Sequence, residues 1–197
     1  MRFRALFPFP IKMKFLSYVC AAAAAAALGY WMAVFIHARI YQAHERVRFI
    51  EPGAETPRAT TGSAIAILTI ARLGVSAVVV EGAGKDELSL GPGHIHGTSL
   101  PGEGGNVGIA GHRDTSFRPL RFIHRGDMIT ITTHERAYQY KVVFTQIVGP
   151  EEIQVLRPLG HETLTLITCY PFHFMGAAPK RFVVRADCSD CASKASE

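Results

Sequence analysis

The sequence from residue 64 onward predicts an all-β domain. Short runs of β-branched and apolar residues recur, as in 65–70 and 128–133, and Gly- and Pro-rich turns separate them. Helical patterns are short and confined to about 117–123 and 153–159. Many short strands with few helices indicate a sandwich or a closed barrel, and a closed barrel would leave no exposed sheet edge.

The strands are expected in a regular succession along the chain. Two of them form a hairpin around His134-Glu-Arg136, and a loop-rich stretch lies between Gly91 and Gly105. In chain order, strands are expected at 65–70, 78–80, 107–110, 128–133, 137–144, 164–168 and 182–186.

The N-terminal region predicts a membrane anchor. Residues 15–36 contain no charged side chain, and 22 helical residues extend roughly 33 Å, enough to cross a hydrocarbon core. Four basic residues lie before this stretch and no acid does, so the positive-inside rule places 1–14 in the cytoplasm and the remainder outside. The alternative is a cleaved signal peptide with small-residue sites in 21–27, but the apolar stretch is longer than a usual signal core.

Charge gives no support for a nucleic-acid partner, and none is expected. The chain has 21 basic and 16 acidic residues, but four of the basic residues and no acid fall in 1–36. The remaining 17 basic and 16 acidic residues give a net charge of +1, so no basic surface is indicated. Residues 37–63 are expected to form a juxtamembrane stalk and linker, 64–187 the folded domain, and 188–197 a polar tail.

Three residues have the chemistry of acyl transfer. Cys169 ends an apolar run and precedes Tyr170-Pro171, so it stands at a strand end where substrate can reach it. His112 follows the buried-strand pattern of 107–110, and Arg181 stands at the edge of the last expected strand. A thiol attacks carbonyls, an imidazole moves protons and a guanidinium stabilises charge. Free cysteine is often only a buried core residue, and the pattern alone leaves that alternative open.

Other polar residues give weaker indications of function. Arg185 shares a strand face with Arg181, about 13 Å away, and is expected to be an exposed strand charge. His94 and His96 lack a carboxylate cluster to complete a metal site, so no metal and no cofactor are expected. Cys188 and Cys191 supply too few ligands for zinc; a disulfide is possible, but an incidental tail is expected.

The motifs around the cysteine and the histidine resemble those of the sortase transpeptidases, class D in particular. The resemblance covers roughly 64–187 and rests on Leu164-Thr-Leu-Ile-Thr-Cys169, on Gly105-Asn-Val-Gly-Ile-Ala-Gly-His-Arg-Asp-Thr-Ser-Phe117 and on Cys169-Tyr-Pro-Phe172. It implies a closed eight-stranded β-barrel with short helices behind one transmembrane helix. It also implies catalytic roles for Cys169, His112 and Arg181, and substrate contacts at Thr168, Asn106 and His94.

The same resemblance implies a function. A sortase cleaves a C-terminal Leu-Pro-x-Thr-Gly/Ala-like signal after the threonine through a thioacyl intermediate. It then transfers the secreted protein to an amine of the cell wall or of another protein, while anchored in the cell membrane. Two alternatives remain open: a secreted cysteine peptidase that resolves the acyl enzyme with water, and a non-catalytic barrel that binds peptides.

Overall fold

The computed structural model describes residues 11–50, 60–173 and 176–191, which form parts of two compact units, 1–37 and 38–197. Most of the expected cytoplasmic segment 1–14, much of the linker in 37–63 and most of the tail 188–197 lie outside the described residues.

The described residues of the first unit, 11–37, all lie in one helix, α1 (Ile11–Ile50). Its large apolar side chains are exposed, including Phe15, Tyr30 and Trp31. By length and composition the stretch Phe15–Phe49 is apolar enough to cross a membrane. The expected N-terminal apolar helix is therefore confirmed as a candidate membrane span.

The second unit is a closed eight-stranded barrel, which confirms the expected fold class. Neighbouring strands follow the order β1-β2-β3-β4-β7-β8-β6-β5, and β5 pairs with β1 to close the barrel. The strands are β1 (Ala64–Ile70), β2 (Val75–Glu81), β3 (Gly93–His94), β4 (Asn106–Gly111), β5 (Met128–Thr132), β6 (Ala137–Val148), β7 (Thr163–Tyr170) and β8 (Lys180–Cys188).

Short helices connect some of the strands. One α-helix, α2 (Lys85–Leu90), lies between β2 and β3. Three 3₁₀ helices also lie in connections between strands: η1 (Ala71–Leu73), η2 (Arg118–Phe122) and η3 (Ile153–Leu156). Of these, η2 and η3 fall where the sequence predicted short helices.

Alternating side chains of β4, β7 and β8 fill the barrel interior. Val107, Ile109, Leu164, Leu166 and Val184 are almost fully buried and belong to one core cluster. The residues between them therefore face the outside of the barrel, because successive side chains of a strand point to opposite faces. This outer face holds Cys169, Arg181 and Asn106, three of the residues that the sequence assigned to the site.

The last turns of α1 belong to the barrel unit. Phe49 is buried in a cluster with Ala64, Ile67 and Val78. The Gln42 carboxamide donates to the Val78 carbonyl at 3.0 Å and accepts from the Val78 amide at 2.7 Å. Residues 38–50 are therefore an integral part of the domain.

Gln42 satisfies a strand edge that no other strand covers. β2 pairs with β3 only through Val80 and Glu81, which leaves the polar groups of Val78 unpaired by that strand. The same Gln42 amide nitrogen also donates to the Leu90 carbonyl at 2.9 Å. A side-chain amide thus replaces the missing ladder hydrogen bonds, which buried backbone groups require.

Candidate active site

Cys169 stands at the end of β7, as predicted from its sequence context. It is a free, half-buried cysteine that faces the outside of the barrel, in phase with Thr165 and Ile167. On the neighbouring strand β8 its register partner is Arg181. The side chains of Cys169 and Arg181 therefore lie on the same face, near one end of the barrel.

His112 lies near the same end of the barrel, on the side of β7 opposite to β8. β4 runs parallel to β7, and its last residue Gly111 pairs with Thr168. His112 directly follows Gly111, as Cys169 directly follows Thr168, and neighbouring strands lie about 4.8 Å apart. The His112 side chain is exposed. The barrel thus brings the three predicted catalytic residues to one end: Cys169 and Arg181 on paired strands, and His112 directly after the neighbouring strand β4.

The chain turns sharply after Gly111, and packing fixes that turn. A methyl group placed on Gly111 would lie 2.6 Å from the ring of Phe117, which is fully buried. The Phe117 amide donates to the His112 carbonyl at 3.1 Å. The absence of a side chain at 111 therefore lets the Phe117 ring support the backbone that carries His112.

Arg181 is half-buried and held by backbone. Its Nη1 donates to the carbonyls of Ala178 at 3.1 Å and Lys180 at 3.0 Å. In the described part of the barrel no carboxylate forms an ion pair with it. Among the described residues its positive charge is thus not neutralised by an acid.

Thr168 points into the barrel. It is 2% exposed, and its hydroxyl donates to the Gly111 carbonyl at 2.7 Å. That bond ties β7 to β4 directly beside Cys169 and His112. The geometry favours a positioning role for Thr168 over contact with substrate.

His94 is also buried, with both ring nitrogens engaged. Nδ1 lies 2.8 Å from Oε2 of Glu81, and Nε2 lies 3.1 Å from the Ser99 carbonyl. His96 contacts the other oxygen of Glu81 at 2.9 Å. The sequence showed no carboxylate partner for these histidines, because Glu81 is brought to them by the parallel pairing of β2 with β3. This arrangement favours a structural role for His94.

Asn106 is 1% exposed on the outer face of β4. Its Oδ1 accepts hydrogen bonds from the hydroxyls of Thr163 at 3.1 Å and Thr165 at 2.7 Å. Its Nδ2 donates to the carbonyl of Val155, in η3, at 3.3 Å. Asn106 therefore connects β4 and β7 to the connection that covers them.

The expectation for Arg185 is wrong. Arg185 is 4% exposed instead of lying at a solvated rim, and burial lowers the pKa of its guanidinium. It is on the expected strand face, but the connection between β6 and β7 covers that face. Strand periodicity identifies which face a residue is on and does not reveal what lies over it.

The expectation of an incidental tail at Cys188 and Cys191 is also wrong. The two cysteines form a disulfide, and both sulfur-bearing side chains pack against the core. Cys188 is the last residue of β8, and its amide donates to the Glu162 carbonyl at 3.1 Å. Within the described residues, Glu162, Cys188 and Cys191 are the one group whose ligand atoms approach closely enough for a metal ion. The disulfide removes the thiolates that a metal would need.

The chain is thus a closed eight-stranded barrel with a cysteine and an arginine on paired strands and a histidine directly after the neighbouring strand. The family model described as Sortase domain matches residues 68–189. The chain belongs to the sortase family.

Relatives support the same assignment. The chain is 36% identical over 126 residues to Sortase D of Bacillus subtilis (strain 168), which covers 63% of each chain. It is 30% identical over 167 residues to Sortase SrtE1 of Streptomyces coelicolor, covering 72% of this chain and 46% of that protein. The chain thus spans about half to two thirds of the length of these curated relatives.

Solved structures share the fold. A Clostridium perfringens Sortase D5 transpeptidase superposes with a TM-score of 0.67 at 29% identity, covering 76% of this chain and 96% of that one. Sortase E1 from Streptomyces coelicolor with a tripeptide in its active site gives a TM-score of 0.58 at 28% identity, covering 64% and 88%.

Proposed function

We propose that this chain is a membrane-anchored cysteine transpeptidase that cleaves a C-terminal Leu-Pro-x-Thr-Gly/Ala-like sorting signal after the threonine. The observation that carries the proposal is that Cys169 on β7 pairs with Arg181 on β8, while Gly111 and Thr168, the residues directly before His112 and Cys169, pair with each other. Family membership supports this chemistry, and the tripeptide bound to Sortase E1 supports a peptide as the ligand.

The first half of the reaction forms a thioester. The Cys169 thiolate attacks the carbonyl carbon of the threonine, and the carbonyl oxygen becomes an oxyanion that the Arg181 guanidinium stabilises. The imidazolium of His112 gives its proton to the leaving nitrogen, and the C–N bond breaks. The C-terminal fragment leaves as an amine, and the N-terminal protein stays bound to sulfur.

The second half reverses these roles. An amine attacks the thioester carbonyl, and His112 accepts its proton while the C–S bond breaks. The thiolate and the imidazolium are restored, and the product contains a new amide bond. A secreted protein that bears the signal is the acyl donor, and an amine of the cell wall or of another protein is the acceptor.

The site residues divide into two groups in this proposal. Cys169, His112 and Arg181 act on the reacting atoms. Thr168 and Asn106 position the strands and the loop around them, and His94 fixes the connection that follows β3. No cofactor and no metal are needed for any step.

The N-terminal helix gives the enzyme its place. With 1–14 in the cytoplasm and 15–36 in the membrane, the barrel lies outside the membrane, where exported substrates arrive. Retention of the helix keeps enzyme and substrate at the same surface.

One experiment separates this function from its alternatives. The full chain in detergent micelles is mixed with a Leu-Pro-x-Thr-Gly/Ala peptide, with and without an added amine such as triglycine, and the products are identified by mass spectrometry. We expect an acyl adduct on Cys169 and an amide product when amine is present. Only hydrolysed peptide at saturating amine would identify a peptidase, and peptide binding with neither adduct nor product would identify a non-catalytic barrel.

The matched control is Cys169→Ala. It removes the nucleophile from a strand end and leaves the core unchanged, so turnover should fall below about a thousandth of wild type while circular dichroism is unchanged. Residual turnover above that level would contradict a covalent route. Addition of a chelator should leave the wild-type rate unchanged.

A further inference from the structure

A buried polar layer covers the outer face of β4, β7 and β8 away from Cys169. It consists of Asn106, Thr163, Thr165 and Arg185, each at most 4% exposed. Both threonine hydroxyls donate to Asn106, and Nη1 of Arg185 donates to Thr163 Oγ1 at 3.2 Å. Four side chains on three adjacent strands, two of them from β7, are thus joined in a single network.

The network ends on one carbonyl group. Nη2 of Arg185 and Nδ2 of Asn106 both donate to the oxygen of Val155. Val155 lies in η3, within the connection 149–162 between β6 and β7. Val155 and Leu156 are half-buried, whereas Ile153 and Leu159 on the same connection are 71% and 54% exposed. Two donors from the barrel therefore hold the middle of a connection that presents apolar side chains to solvent.

Stability alone does not account for Arg185. Within the described residues no carboxylate forms an ion pair with it, and its buried Nε has no hydrogen-bond partner. Burying a cation without an ionic partner is unfavourable, and an apolar side chain of similar volume often serves the fold equally well. What the guanidinium adds is a defined position for Val155.

The position of η3 matters for the substrate. A methyl group placed on Gly108 would lie 3.0 Å from Leu156 Cδ2, so η3 lies directly over this part of β4. Gly108 precedes His112 by four residues, as Thr165 precedes Cys169, and four strand residues extend about 13 Å. Consider an extended peptide that has its scissile carbonyl at Cys169 and runs along β4 and β7. Such a peptide meets η3 about four residues from that carbonyl.

We propose that Arg185, together with Asn106, is a positioning residue that fixes η3 as a wall of the peptide-binding groove. Arg185 acts through Val155 and does not touch the reacting atoms. Its loss changes substrate binding and leaves the chemistry at Cys169 intact. This inference rests on the proposed function, because it assigns a role in binding the substrate of that reaction.

Steady-state kinetics on the full chain in detergent micelles test the role. Arg185→Met removes both donors at similar length, and we expect KM for the sorting peptide to rise about tenfold with kcat within twofold of wild type. Arg185→Lys keeps one cationic donor and should restore part of the loss. The exposed Arg125 provides the matched control, since Arg125→Met should change neither constant. A fall in kcat at constant KM, or wild-type constants in Arg185→Met, would overturn the proposal.

Amide hydrogen exchange gives a readout that does not depend on turnover. In Arg185→Met, exchange in 149–162 should accelerate at least tenfold, while the strands of the barrel exchange as in wild type. Unchanged exchange in 149–162 would overturn the role of Arg185 in holding η3. Faster exchange throughout the barrel would also overturn it, because Arg185 would then stabilise the whole fold instead of η3 alone. If the wild-type chain shows no turnover, the proposed function has failed, and exchange still decides whether Arg185 holds η3.

Discussion

Cys169 and Arg181 are direct register partners on antiparallel strands β7 and β8. Directly opposed Cα atoms in such a pair lie about 4.5–5.5 Å apart. The pairing thus sets the proposed nucleophile and the proposed oxyanion donor side by side on one face of the sheet. The backbone carbonyls of Ala178 and Lys180 hold the Arg181 guanidinium in place.

Arg181→Lys should lower kcat about a hundredfold. Lysine cannot reproduce the planar arrangement of donors, and loss of one oxyanion donor costs about this much in other enzymes. Kinetics on one substrate peptide measure the effect. In the companion variant Arg185→Lys, kcat should fall less than threefold, because Arg185 lies four residues farther along the strand. The opposite ranking would mean that Arg185 is the catalytic arginine.

Gly111→Ala should destabilise the barrel and abolish activity. The new methyl group would overlap the buried Phe117 ring, and overpacking of this kind costs about 1–3 kcal/mol. The backbone that carries His112 moves with the ring. Urea unfolding followed by circular dichroism measures the loss. Gly29→Ala is the control, because a methyl group there has no neighbour within 4 Å. Wild-type stability in Gly111→Ala would show that Phe117 does not support the turn.

The role of 38–50 in the barrel changes where the chain can be shortened. Deletion of 1–37 should give a soluble, active protein, because it removes only the first compact unit. Deletion of 1–50 also removes Phe49 and Gln42, and loss of a buried phenylalanine alone costs about 3–5 kcal/mol.

Thermal unfolding of the two truncated proteins, with peptide cleavage as the second readout, distinguishes them. The 1–50 deletion should have a lower Tm or fail to fold. Phe49→Ala in the 1–37 deletion is the matched variant and should reproduce much of the loss. Equal Tm values for both truncations would return 38–50 to the role of a free stalk.

The sequence predicted the fold well where patterns are local. Seven of the eight strands correspond to apolar runs, and Cys169 lies at a strand end as its flanking Pro171 indicated. The two-residue strand β3 was missed, because Gly93 and His94 carry no alternating pattern. Its existence depends on pairing with Val80 and Ala110, which are distant in the chain.

Arg185 shows why parts of the site could not be predicted. Its strand face followed from period two, but its burial depends on the connection 149–162, which has no strong pattern of its own. Gln42 is a similar case: its role depends on an unpaired edge of β2 that becomes apparent only when β3 is seen to be short. Contacts with segments that are distant in the chain determine the burial of Arg185 and the hydrogen bonds of Gln42.

The ion pair between Arg72 and Asp127 should make the stability of the fold depend on pH. Asp127 accepts from Nε of Arg72 at 2.5 Å and also from its Nη2, and Oδ2 accepts from the His124 amide at 2.8 Å. The hydrogen bonds from Arg72 lower the pKa of Asp127 below its usual value, 3.8. Folding therefore favours the charged carboxylate.

The sign of the effect follows from that lowered pKa. A carboxylate whose pKa is lower in the folded state contributes stability above its unfolded value and loses it as the pH falls through the folded value. Asp127→Asn should therefore lower the Tm at pH 7, and the difference from wild type should shrink from pH 4 to pH 2. Exposed Glu151 supplies the control, since Glu151→Gln should leave the Tm unchanged at pH 7. A difference between Asp127→Asn and wild type that stays constant down to pH 2 would mean that Asp127 stabilises the turn without its charge.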